Sequence, residues 1–142
     1  QMAKEILPEL QIEVLDSGTA AMAQGFVVLA AARAAAAGQD QAQVMAVARG
    51  VMPRVNIIAI LDTLSYLAKG GRVPKIMAWV GSLLSIKPIM GMSQTNVGLL
   101  ARARTKPQAV ERILAIIEKR VGNAPVHLAS GQSAASLGVW AL

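Results

Sequence analysis

Apolar positions along the chain switch between a period near 3.6 and a period of 2, and these switches predict an alternation of helices and short strands. MAKEIL within Gln1 to Pro8 has helical spacing but no N-cap, as expected for the tail of a helix that begins further upstream. Gln11 to Leu15 (QIEVL) alternates and runs into Asp16-Ser17-Gly18, which predicts a strand ending in a helix-initiating turn. Alanine density from Thr19 to Ala37 predicts a long helix closed by Gly38. Gly25 inside it costs about 1 kcal/mol relative to alanine and permits a close approach. Asp40 then caps a second helix, with Val44, Val47, Ala48 and Val51 at helical spacing and Pro53 ending it.

Val55 to Leu61 is a nearly continuous apolar run, the mark of a buried strand. Two helices are predicted next, TLSYLAK up to Gly70-Gly71 and PKIMAWVGSLL opened by Pro74. Ile86 to Met92 and Val97 to Arg104 read as an antiparallel pair joined by Ser93-Gln94-Thr95-Asn96. Strict alternation puts Leu100, Arg102 and Arg104 on one face of the second strand. Pro107 to Val121 predicts an amphipathic helix with Val110, Ile113, Leu114, Ile117 and Val121 buried, and Glu111, Arg112, Glu118 and Lys119 outside. PVHLA (Pro125 to Ala129) is expected as a last strand, followed by a helix from Ser133 to Leu142. The order argues an α/β or α+β chain whose helices cover a sheet. It divides into the end of one α/β unit, residues 1–53, and most of a second, residues 54–142.

Composition narrows the function classes. The hydrophobic share of the 142 residues is 54%, with seven Met and only two Trp, one Tyr and one Phe. An aliphatic, methionine-bearing interior adapts its shape, although an ordinary helix-rich core uses the same residues. No window supplies the roughly 18 to 20 uninterrupted apolar residues of a spanning helix, since Ala20 to Ala37 is broken by Gln24, Gly25 and Arg33. Membrane insertion is therefore not expected. The absence of cysteine and of a leader pattern leads to an expectation of a cytoplasmic protein. The formal net charge is +6, but the cations are scattered and not interleaved with stacking aromatics, so no nucleic-acid partner is expected.

No catalytic residue is expected. His127 is the one histidine, and a lone strand histidine is more often a satisfied core residue than a catalyst. With no cysteine and no second histidine, no metal site is expected. No nucleophile elbow, phosphate loop or dinucleotide fingerprint occurs. Asp62 reads more readily as a helix cap than as a base. Gly70-Gly71-Arg72 has two readings: glycines that bring amides and a guanidinium to an anion, or a helix C-cap followed by a solvated arginine. Lys87, before Pro88, is equally open. Arg102 and Arg104 suit a carboxylate, a phosphate, an acidic partner or a solvated sheet face.

LDTLSYLAKGGRV, GSLLSIKPIM and ARARTKPQAVERI, with EVLDSGTAAMAQGFVVLAAARAAAAG upstream, resemble the DegV family of bacterial fatty-acid-binding proteins from about Gln11 to Val139. The resemblance implies a parallel-sheet α/β domain followed by a two-layer mixed-sheet α/β domain, both truncated here, with a long-chain acyl group between them. It implies a noncatalytic carrier that presents the fatty acid to a separate ATP-dependent fatty acid kinase subunit related to dihydroxyacetone kinases. No cofactor beyond the bound lipid is implied. Acyl-lining candidates are Met22, Phe26, Leu29, Met77, Val80, Leu83 and Leu84. Head-group or partner candidates are Gly71, Arg72, Lys87, Arg102 and Arg104, with Arg104 foremost. Ser17-Gly18-Thr19 and His127 do not match the family's carboxylate-binding turn and C-terminal histidine, whose positions are expected outside this chain. The alternative function is an interaction or regulatory domain that docks an acidic protein through the basic strand face.

Overall fold

The computed structural model describes residues 2–62, 86–94, 96–133 and 136–141. The helices expected over TLSYLAK and PKIMAWVGSLL, and the Gly70-Gly71-Arg72 turn, lie outside the described residues. A short helix α1 (Met2–Ile6) precedes α2 (Ala21–Ala36) and α3 (Gln41–Val51), and a 3₁₀ turn over Met52–Arg54 leads into β1 (Asn56–Leu61). β2 (Lys87–Ser93), β3 (Asn96–Ala103), α4 (Lys106–Val121), β4 (Leu128–Ser133) and β5 (Ser136–Ala141) follow. The five strands form one sheet in the order β3-β2-β1-β5-β4, antiparallel at every described ladder. The architecture is α/β, as expected.

Local chemistry accounts for the helix ends. Asp40 accepts from the Gln43 amide at 2.8 Å while Gln43 Oε1 accepts from the Asp40 amide at 3.0 Å, a reciprocal cap. Gly38 follows α2 at φ 80°, the left-handed conformation that glycine adopts without a Cβ penalty. Thr105 caps α4 by accepting from the Gln108 amide at 3.3 Å.

Burial in β1 follows the two-residue alternation of a strand. Ile58 and Ile60 point to one face, where they meet Ile89, Ala103, Ala109 and Ile113 beneath α4. Ile57 points to the other face and joins Ala23, Val27, Ala48, Met52 and Val55 beneath α2 and α3. A strand buried on both faces reads as continuous apolar sequence, which is why VNIIAIL was legible.

Four expectations need correction. QIEVL is not a strand: it has no ladder, and α3 holds it through Gln41 Nε2 donating to the Gln11 carbonyl at 2.8 Å. An extended segment becomes a strand only when a partner takes its backbone groups. Residues 136–141 form β5 and not a helix, because they pair along the whole of β1, from Ser136 opposite Leu61 to Ala141 opposite Asn56. His127 precedes β4 and is exposed, so it is not a core histidine; its ring centroid lies 6.5 Å from that of Phe26. In α4 the buried row is Ala109 and Ile113, flanked by Ile116 and Ile117, whereas Val110 and Leu114 are 37% and 54% exposed. The small Ala109 lets the helix approach the sheet closely, and that rotates the stripe.

This rotation separates two neighbouring residues. Ile113→Ala is expected to destabilise the fold by about 2–5 kcal/mol, and Leu114→Ala by no more than about 0.5 kcal/mol. Urea unfolding of both variants checks it, and equal losses would contradict the buried row.

Candidate functional site

Cations converge at the end of the sheet where β1 finishes, β2 begins and β3 passes into α4. Three elements bring them there. Lys87 is the first residue of β2 and pairs opposite Ala103, which stands between Arg102 and Arg104. Lys106 is the first residue of α4. Arg112, about one and two-thirds turns further on, returns its guanidinium to the strand edge and donates through Nη1 to the Arg102 carbonyl.

A cavity of about 260 Å³ lies at this junction, lined among the described residues by Ile86, Arg102, Ala103, Arg104, Gln108 and Arg112. Gln108 accepts from the Arg104 amide through Oε1 at 2.8 Å and so fixes the strand-to-helix turn. Three arginines line the cavity and no carboxylate lines it among the described residues. The start of α4 adds the positive end of a 16-residue helix, although Pro107 carries no amide proton and Thr105 takes that of Gln108. The arrangement attracts anionic oxygens and supplies forked donors for them.

Asp62 supplies the counter-charge. Its Oδ1 accepts from Lys87 Nζ at 2.8 Å and its Oδ2 lies 3.5 Å from Lys106 Nζ, so one carboxylate links β1, β2 and α4. The Lys87 hydrogen bond holds the Asp62 carboxyl below the usual carboxylate range; partial desolvation opposes this, and the Lys106 and Lys87 charges reinforce it. Any cap that Asp62 provides would fall on residues outside those described.

The sequence-derived candidates divide into two places. Arg102 and Arg104 line the cavity, Arg104 from just beyond β3, which ends at Ala103. Lys87 sits beside them but is committed to Asp62. Met22, Phe26 and Leu29 fall on one stripe of α2, at the other end of the sheet. Met22 and Leu29 are 36% and 42% exposed, and Phe26 packs against the core beneath α2 and α3. Gly71, Arg72, Met77, Val80, Leu83 and Leu84 lie outside the described residues.

Arg112 and Gln108 were missed, because helical spacing alone placed Arg112 on a solvated face. The signal was the pair of residues at i and i+4 on the first turns of a helix that directly follows an arginine-bearing strand. Elsewhere, a shallow cavity beside Lys4, Gln11, Glu13 and Asp40 mixes charges of both signs. Among the described residues no three His, Asp or Glu side chains converge as metal ligands, and no helix is long and apolar enough to cross a membrane.

The sequence model described as "Uncharacterised protein, DegV family" matches residues 1–139. The chain belongs to the DegV family. A DegV domain-containing protein of Streptomyces coelicolor is 35% identical over 131 residues, covering 89% of this chain and 47% of the relative. The chain spans about half the length of the curated DegV relatives it matches, 42% and 47% for two of them. A stearic acid-binding protein from Eubacterium ventriosum is 25% identical with a TM-score of 0.77, covering 93% of this chain and 47% of that one. The Streptococcus pneumoniae Fatty Acid Kinase (Fak) B3 protein, solved with linoleic acid, is 22% identical with a TM-score of 0.73, covering 91% of this chain and 47% of that one. The DegV fold is therefore shared.

The Asp62 bridge makes a pH prediction with a definite sign. Its carboxyl titrates lower in the folded state than in the unfolded one, so the bridge contributes stability above the ordinary aspartate pKa of about 3.9 and loses it as pH falls through the folded value. Asp62→Asn is expected to flatten the acid limb of stability against pH, read by chemical unfolding between about pH 5 and 2.5. A limb of unchanged slope would contradict the bridge.

Proposed function

We propose that the chain is part of a noncatalytic, cytoplasmic carrier that binds a long-chain fatty acid and presents it to a separate ATP-dependent fatty acid kinase. The observation that carries this reading is the likeness to the stearic acid-binding protein, together with an exposed apolar stripe on α2. A helix apolar on nearly every side needs cover, and Met22, Phe26 and Leu29 offer an acyl chain such a surface. Each methylene buried contributes about 0.8 kcal/mol, so a chain of roughly fourteen or more carbons supplies strong affinity before any head-group contact. In this reading residues 1–53 close a parallel-sheet domain, residues 54–142 form most of a mixed-sheet domain, and the lipid lies between them. Met77, Val80, Leu83 and Leu84 complete the acyl lining, and Gly71 and Arg72 stand near the head group or the partner.

The cationic end is better suited to an acidic protein partner than to the lipid head group. It stands at the opposite end of β1 from α2, and six strand residues span about 20 Å. Fak B3 is one fatty-acid-loaded protein whose name ties the fold to a kinase. The partner surface would then be Arg102, Arg104 and Arg112, with Lys87 beside them.

Lipid extraction and mass spectrometry of the full-length protein are expected to recover a long-chain fatty acid. Arg102→Ala with Arg104→Ala is expected to leave that lipid in place and weaken kinase binding at least about tenfold, as for charged contacts at protein interfaces. A lipid-free protein that takes up no fatty acid would end the carrier reading. Lipid loss in the arginine variant would return the cationic end to the head group.

A further inference from the structure

We propose that Asp62 is a built-in counterion that competes with an incoming acidic group for Lys87 and Lys106, and so sets how strongly the cationic end of the sheet draws its partner. This rests on the docking reading of that surface. Five cations gather there from three elements: Lys87 from β2, Arg102 and Arg104 from the end of β3, and Lys106 and Arg112 from α4. Asp62 is the carboxylate that reaches them, and among the described residues no other ion pair forms anywhere in the chain. Glu111, next to Arg112 on α4, is exposed and does not line the cavity.

Geometry makes the bridge exchangeable. The side chains of Lys87, Lys106 and Asp62 are 28%, 56% and 36% exposed, so water and solutes reach all three. An ion pair of this kind is weak and screened, and a carboxylate arriving from outside can replace it. Each oxygen of Asp62 is turned to a different lysine, so two ammonium groups are occupied, while the three arginines that line the cavity have no carboxylate partner among the described residues. The surface thus presents its arginines first and holds its lysines in reserve.

Asp62→Asn keeps an oxygen for Lys87 and removes the charge. A decaglutamate peptide titrated against the full chain by calorimetry at low and moderate salt is the probe. Asp62→Asn is expected to tighten binding about three- to tenfold at low salt, with the gain shrinking as salt rises over the Debye range. Adding Lys106→Gln to Asp62→Asn is expected to return affinity and salt slope toward the wild type. Independently of how well Asp62→Asn folds, Lys106→Gln alone is expected to weaken binding less than Arg104→Gln, because Lys106 is already neutralised. Unchanged or weaker binding by folded Asp62→Asn, or equal losses in the two Gln variants, overturns the counterion. A wild type that ignores the peptide removes the docking reading, and the counterion with it.

Discussion

Double burial of β1 is the constraint from which the rest of the arrangement follows. Ile57 fills the core beneath α2 and α3, while Ile58 and Ile60 fill the core beneath α4. Adjacent residues on one strand therefore belong to different cores, and a slip of one position would exchange them. β2 and β5 pair on either edge of β1, so their registers are set by the same alternation. The ends of β1 inherit that precision. Asn56 at its start takes Arg120 of α4 at 3.3 Å, and Asp62 just beyond its end takes Lys87 and Lys106.

The residues that were legible in sequence are those whose local and tertiary preferences agree. Asp40 is both a cap read from the sequence and a formed cap, and Val55 to Leu61 is apolar because both of its faces are covered. Residues 136–141 were misread because nothing local marks them as a strand; pairing with β1 decides their state. QIEVL failed the opposite way, since its alternation is strand-like and no described strand takes its backbone. The α4 stripe was off by one row because rows 109-113-116 and 110-114-117 have the same spacing, and only packing against the sheet chooses between them.

The site shows the same division. Arg102 and Arg104 were found from strand position, but strict alternation past Leu100 does not hold. Ile89 pairs with Ala101 and Met90 with Leu99, so Leu100 is an extra residue in β3, and its side chain lies over Gly91. A Cβ on Gly91 would sit 2.7 Å from Leu100 Cδ1, so a larger residue there would displace the Leu100 side chain. The bulge changes which face each later β3 residue takes, and periodicity cannot reveal that. Arg112 was invisible for a related reason: its target is the Arg102 carbonyl at a sheet edge, a partner that exists only once the strand and helix are packed.

For the proposed carrier, distance then constrains how one chain would serve both a lipid and a partner. The apolar stripe of α2 and the guanidinium cavity lie at opposite ends of β1, about 20 Å apart along the strand. That is about two and a half times the Debye length of about 8 Å at physiological salt, so surface charge at one end is largely screened from solvent-exposed groups at the other. A cationic end that gripped the lipid carboxylate would have to be reached by the acyl chain itself running the length of the sheet. A cationic end that meets a protein partner needs no such path. It can be tuned by Asp62 and salt without disturbing the apolar stripe, because the two surfaces share little beyond the register of β1.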